Sequence, residues 1–383
     1  MKSAEMLQTA TAERRRLAGL DGIRGLAALF VVFHHVWLLS FPGFPRDTGP
    51  GWASWMAYGH FAVVVFIVLS GFSLALSPAR AGWRLDSLGR FAHRRAWRIL
   101  PPYWAAVAVS LVIAWTLVPQ PEQGVPTGKS VLIYGLLLQD VFGSPSPNGA
   151  LWSIAVEAQL YFVFPLLLLV LRRMGAIVMV GAVAAVVVGV GLLAPVVPAV
   201  GELMRLTPQF AALFALGMAG AGVVRLRRRV PLQWLALAAV SPVIVLIVVN
   251  GSVWTIGNLY WIDLAIGPAI VLLLAAVATG RPAPVVWLLD TRPVKSLGSF
   301  SYSLYLIHAP IVVNIYALLI APRMEPGIPA FLVGLAVAVP VTVVAARLFA
   351  AVFELPFTRN RTPAALRAAV RARFSRAERA RTE

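Results

Sequence analysis

Apolar runs close to twenty residues long recur along this chain, and they constrain its fold more than any other feature. Ten of them lie at 25–41, 58–76, 103–118, 151–171, 176–197, 207–224, 232–249, 260–279, 300–320 and 328–353, separated by charged or Pro/Gly-rich breaks. A helix that crosses a bilayer needs about 20 mostly apolar residues. Sixty per cent of the residues are hydrophobic and 13% are charged, against roughly half and roughly a quarter in soluble domains. The expected fold is all-α, a polytopic integral membrane protein of about ten transmembrane helices. The run at 260–279 is interrupted by Asp263 and Pro268. A further apolar stretch at 131–142 is too short to span and reads as a re-entrant or interfacial segment. No signal peptide is expected, because no small-x-small cleavage site follows 25–41.

Charge sets the expected orientation. Thirty-three Lys and Arg stand against fifteen Asp and Glu, a net +18. With the N-terminus inside, 27 basic residues fall on inner segments and four, Arg46, Lys129, Arg205 and Arg323, on outer ones. Basic residues collect on the cytoplasmic side of membrane proteins, so both termini are expected to be cytoplasmic. Topology absorbs most of the charge, and nucleic acid is not an expected partner. The absence of cysteine excludes a disulfide framework, a thiolate nucleophile and Cys-ligated zinc or iron–sulfur sites; no metal and no permanently bound cofactor are expected. The chain divides into a transmembrane domain, 1–356, and a basic cytoplasmic tail, 357–383. In the tail Pro363 follows Thr362, and Leu366, Val370 and Phe374 share one stripe among arginines. That pattern suits a helix on an anionic inner leaflet, a membrane-lipid contact, or a solvated basic tail.

Ionisable residues inside a span are costly and mark function by default. Four segments hold most of them. In the first, Arg24 precedes His35 by eleven residues, about 16 Å along a helix, so a cation at the inner surface is paired with an imidazole near mid-membrane. Arg24 either anchors the helix end or meets a phosphate. The adjacent His34 and His35 each need partners in a place without water. The second segment runs from Phe91 to Trp104, with Arg94, Arg95 and Arg98 before Pro101 and Pro102. Those prolines suit the first turn of a helix, and guanidinium groups bind phosphate bidentately. In the third, Ser153, Glu157 and Tyr161 follow at i, i+4 and i+8 and share a face. In the fourth, Ser301, Tyr305 and His308 share a face of the ninth run. Interhelical hydrogen bonding is the alternative role for these hydroxyls and for His308.

In order and content these segments resemble the acyltransferase 3 family of membrane O-acyltransferases. The likeness spans residues 17 to 355. Its marks are Arg24 and His35 with ten residues between them, Val68-Leu69-Ser70-Gly71-Phe72, the run Arg95, Arg98, Ile99 and Pro101, the pair Trp152-Ser153 with Glu157, Gln159 and Tyr161, and Ser301-Tyr302 through His308. The resemblance implies transfer of an acyl group, commonly acetyl, from cytoplasmic acyl-CoA to a hydroxyl of a glycan, glycolipid, sugar or macrolide-type metabolite, in the plasma membrane of a bacterium. It implies that His35 is essential and that Arg24, Arg95 and Arg98 bind the donor. Ser153, Tyr161, Tyr305 and His308 are the expected substrate-binding residues. Two departures bear on the acceptor: Val64 stands where relatives often carry an acid, and Ala158 where a second glutamate is frequent. The fused outer hydrolase-like domain of some relatives is not expected here.

On this reading His35 is the general base on the acceptor hydroxyl as it attacks the thioester, and Glu157 orients or charge-compensates a histidine. An acyl-histidine route is the alternative, and no oxyanion donor is evident. A secondary transporter or lipid flippase with a buried His/Glu relay is the competing class. The arginine cluster beside Pro101 serves a phosphate-bearing donor better than an ion pathway.

Overall fold

The computed structural model of the protein describes residues 2–224, 230–360, 362–368 and 371. Its helices, in chain order, are α1 (Lys2–Ser40), α2 (His60–Arg80), α3 (Leu88–Thr116), α4 (Gly128–Gly135), α5 (Trp152–Leu193), α6 (Pro198–Gly201), α7 (Gln209–Val223), α8 (Leu232–Gly257), α9 (Leu259–Ala278), α10 (Ala283–Leu289), α11 (Arg292–Ser299), α12 (Ser301–Ile315), α13 (Ile328–Phe349) and α14 (Leu355–Arg359). There is no strand among the described residues. Eight of their helices are long and apolar enough to cross a membrane, or nine if the pair Pro198–Leu206 and Gln209–Val223, bent by 50°, counts as one span.

The breaks follow local chemistry. α5 is 42 residues long, about 63 Å at 1.5 Å per residue and twice a hydrocarbon core. It leaves helical geometry at Gly175, φ 87°, a conformation open to glycine and costly for other residues. That is the break the sequence predicts between 171 and 176. α9 runs unbroken through Asp263 and Pro268. α12 and α13 each pass into a π-helical turn, Tyr316–Ile320 and Ala350–Glu354. The stretch at 131–142 holds only the eight-residue α4.

One expectation needs correction. α3 does not start at the prolines; it starts fourteen residues earlier, after Ser87, whose Oγ accepts from the Arg90 amide at 3.4 Å. Pro101 and Pro102 lie inside it, so the arginines before them are carried on the same helix. Their register is fixed relative to Tyr103, which is fully buried.

Glycines let two pairs of helices approach closely. A Cβ on Gly71 would sit 2.2 Å from the Phe214 carbonyl oxygen, and one on Gly217 2.2 Å from that of Val68, so α2 and α7 meet backbone to backbone. Contacts of this kind drive association where lipid removes the hydrophobic force between helices. Gly25 meets Gly298 in the same way, with a Cβ on Gly298 falling 2.2 Å from the Asp21 oxygen. This second contact seats the Arg24 turn of α1 against the last turn of α11, which leads into α12. In the tail, residues 363–368 are helical and Thr362 Oγ1 accepts from the Ala365 amide at 3.2 Å. Val370 and Phe374 lie outside the described residues, as do Arg225, Arg227, Arg228 and Arg229.

Candidate active site

Two histidines from opposite parts of the sequence meet in the bundle. The His35 ring on α1 and the His308 ring on α12 stand edge to face, centroids 4.7 Å apart. Each spends one nitrogen on its own helix: His35 Nδ1 donates to the Val31 carbonyl at 2.9 Å and His308 Nδ1 to that of Tyr305 at 2.7 Å. A carbonyl only accepts, so in the neutral rings the proton sits on Nδ1 and the lone pair on Nε2. His308 is fully buried and its Nε2 has no partner among the described residues. His35 is only half-buried. The arrangement leaves a basic nitrogen at His35 open to a guest, with His308 packed behind it.

His34 is placed differently. Its ring is 5.4 Å from that of His35, but its Nδ1 donates to the Met56 carbonyl at 2.9 Å, and its side chain lies where a Gly59 Cβ would be, 2.3 Å away. It pins α1 to the turn that precedes α2.

Below the histidines is a layer of hydroxyls. Ser153 Oγ and Tyr305 Oη are 2.6 Å apart, joining α5 to α12. Glu157 Oε1 accepts from Ser70 Oγ at 2.7 Å and from the Tyr161 hydroxyl. Among the described residues the hydrogen bonds of Glu157 go to these two hydroxyls and none to a histidine. The shared helical face of Ser153, Glu157 and Tyr161 turns inward, as the cost of a polar stripe against lipid requires. A cavity of about 110 Å³ is lined by Ser153, Glu157, Tyr161 and Tyr305 together with Arg24, Arg95 and Arg98.

That cavity shares Arg24, Arg95, Arg98 and Tyr302 with a wider one of about 610 Å³. Five arginines line the wider cavity, Arg84 and Arg94 being added, against Asp21, Asp86 and Glu354. Arg24 Nη1 pairs with Asp21 at 2.9 Å. Arg95 Nε is buried with no hydrogen-bond partner among the described residues. Unspent guanidinium donors around a roomy cleft fit a multiply charged phosphate ligand. The sequence-predicted residues Arg24, Arg95, Arg98, Ser153, Glu157, Tyr161 and Tyr305 thus converge on one connected space, with His308 and His35 against the Tyr305 end.

Several structural residues were not anticipated. Ser70 is visible in the sequence only as part of a motif. Glu354 accepts from the Ser303 amide at 3.1 Å and from Ser303 Oγ at 2.6 Å, and Tyr302 donates to the Ile99 carbonyl at 3.2 Å. Asp263 is fully buried, with both oxygens 2.9 Å from His60 Nε2 and Gln209 Nε2 at 3.4 Å. Trp152 lies parallel to the His60 ring, at 6°. Asp140, in the segment after α4, has Gln159 Nε2 at 3.5 Å, and burial pushes its carboxyl up to about 7. Val64 is fully buried among apolar side chains, which leaves no acid at that place in α2.

Comparison with known proteins places the chain in a family. The chain is similar to the peptidoglycan O-acetyltransferase OatA of Listeria monocytogenes, 27% identical over 44% of this chain and 26% of the relative. It is similar to the putative peptidoglycan O-acetyltransferase YrhL of Bacillus subtilis, 30% identical over 42% of this chain and 25% of the relative. It also resembles the O-acetyltransferase OatA of Staphylococcus aureus, 27% identical over 40% of this chain and 25% of the relative. The matched segments cover about a quarter of the length of these relatives. No solved structure matches. A family model described as an acyltransferase domain matches residues 17–347, and the chain belongs to the acyltransferase 3 family.

Proposed function

We propose that this protein is a bacterial plasma-membrane O-acyltransferase of ten spans with both termini cytoplasmic, which moves an acyl group, most simply acetyl, from cytoplasmic acyl-CoA to a hydroxyl of a sugar or glycan. The observation that carries the reading is the pair of adjoining cavities. They lead from a cleft lined by five arginines to hydroxyls set against the His308–His35 pair. The phosphates of the donor meet Arg24, Arg95 and Arg98, and the pantetheine arm carries the thioester toward His35. Ten spans follow if α5 counts as two at Gly175 and α6 through α7 as one.

His35 Nε2 takes the proton of the acceptor hydroxyl as its oxygen attacks the thioester carbon. The carbon–sulfur bond breaks, and the thiolate receives that proton. His308 fixes the His35 ring from behind, and Glu157, held by Ser70 and Tyr161, supplies negative charge beside the donor-binding arginines. The Listeria monocytogenes relative is named a peptidoglycan O-acetyltransferase, so a glycan hydroxyl is the first acceptor to test; glycolipid sugars and macrolide-type hydroxyls share the chemistry. Membranes carrying the protein, given radiolabelled acetyl-CoA and soluble peptidoglycan fragments, should form a base-labile labelled ester. Equal labelling by a His35→Ala protein would contradict the reading.

A further inference from the structure

Attack on a thioester puts negative charge on the carbonyl oxygen, and a catalyst gains most from a donor already in place where that charge appears. The sequence offers no obvious donor, but the structure has one in the smaller cavity, partly on the turn of α12 that also carries His308. Ser153 and Tyr305 are both buried, both line that cavity, and their hydroxyl oxygens are 2.6 Å apart. Two hydroxyls carry two protons. One is spent between them. Among the described residues the other acceptor in reach is the Ala150 carbonyl, 3.5 Å from Ser153 Oγ, at the outer edge of hydrogen-bond distance. One O–H of the pair is therefore unspent and available to a guest in the cavity.

The same residue also sets the catalytic histidines. The Tyr305 carbonyl holds His308 Nδ1 at 2.7 Å, the two rings are 5.6 Å apart, and His308 packs on His35. Phe66 meets the Tyr305 ring edge to face at 5.4 Å, so the hydroxyl is held from two sides. The Tyr305 hydroxyl is thus tied to His308 through one turn of α12, and through the packing of His308 to His35, the proposed base on α1.

We propose that the Ser153–Tyr305 hydroxyl pair is the oxyanion site of the acyl transfer. This rests on the reading of the cavity as an acyl-CoA site. As the acceptor oxygen bonds to the thioester carbon, the carbonyl electron pair moves onto oxygen and accepts the unspent O–H of the pair, while the acceptor proton passes to His35. The intermediate collapses: the carbonyl re-forms, the carbon–sulfur bond breaks, and sulfur takes the proton from His35. The hydroxyl pair keeps both its protons throughout. A simple helix-to-helix tie between α5 and α12 would need the same two residues but would not discriminate between ground and transition state.

The test uses the purified full chain with acetyl-CoA, measuring CoA release with water as the acceptor, and in parallel the binding of a non-hydrolysable thioether analogue. Tyr305→Phe keeps the ring against Phe66 and His308 and removes only the hydroxyl; Ser153→Ala removes the other, and Ser153→Thr restores it. The inference expects kcat to fall about 100-fold in Tyr305→Phe and Ser153→Ala, analogue affinity to stay within about twofold, and Ser153→Thr to recover most of the rate. It is overturned if either variant turns over within about twofold of wild type. A faster variant also overturns it, since the pair would then be a barrier, as does equal loss of rate and affinity that Ser153→Thr fails to rescue. A wild-type protein with no analogue binding and no His35-dependent release removes the donor reading itself, a different result from a Tyr305→Phe protein that matches an active wild type.

Discussion

The edge-to-face meeting of His35 and His308, centroids 4.7 Å apart, couples two helices separated by more than 270 residues of sequence and leaves each ring with its Nδ1 proton on a backbone carbonyl. On the proposed function His308 acts by holding His35. His308→Ala is expected to lower turnover about 100-fold, the cost of a loosely placed base, with acyl-CoA affinity unchanged. Single-turnover kinetics beside equilibrium binding check this; a fall in affinity that accounts for the whole loss would place His308 in the donor pocket instead.

Arg95 brings to the cavity a buried Nε with no hydrogen-bond partner among the described residues. A hydrogen bond to a charged group is worth about 1.5–3 kcal/mol, and 1.4 kcal/mol is tenfold. Arg95→Ala should weaken acetyl-CoA binding by about tenfold or more, with Arg95→Lys in between because the bidentate fork is lost. Binding of acetyl-pantetheine, which lacks the phosphates, should not change. If both ligands weaken equally, Arg95 shapes the cavity and does not read phosphate.

His60 and Asp263 tie α2 to α9. Removing one partner of a buried hydrogen bond leaves the other unsatisfied, at a cost of about 1–3 kcal/mol. His60→Ala should therefore melt at clearly lower temperature in detergent, and His60→Ala combined with Asp263→Asn should recover part of the loss. A His60→Ala protein that melts with wild type would show that the pair contributes nothing to stability.

Asp140 carries a carboxyl that burial pushes up to about 7 from an ordinary value near 3.8. Between those values the folded state holds a proton that the unfolded state has lost, so this group lowers stability as pH rises from about 4 to about 7 and adds no further change above. Asp140→Asn should flatten that part of the stability curve, measured by thermal melts across pH. An unchanged slope would mean that water reaches the carboxylate freely.

Periodicity carried much of this fold. The apolar runs place the long helices, and the spacing of Ser153, Glu157 and Tyr161 puts them on the face that turns inward. Arg24 and His35 lie on one continuous helix, as their separation requires. What the sequence hides are pairings made only by packing. His60 and Asp263 are 203 positions apart, and nothing local marks either as the other's partner. Ser70 reaches Glu157 across the α2–α5 contact, 87 positions apart, not through any pattern of its own. The start of α3 was misplaced because paired prolines read as a first turn, whereas Ser87 caps the helix earlier and the prolines are absorbed inside it.

The most direct test of the account is acetyl-CoA binding and thioester turnover by purified protein, with wild type beside His35→Ala and Arg98→Ala. The account predicts that His35→Ala binds acetyl-CoA like wild type but loses turnover by about 100-fold or more, and that Arg98→Ala binds it more weakly. A folded wild-type protein that binds no acetyl-CoA, or a His35→Ala protein that turns it over at the full rate, would contradict it.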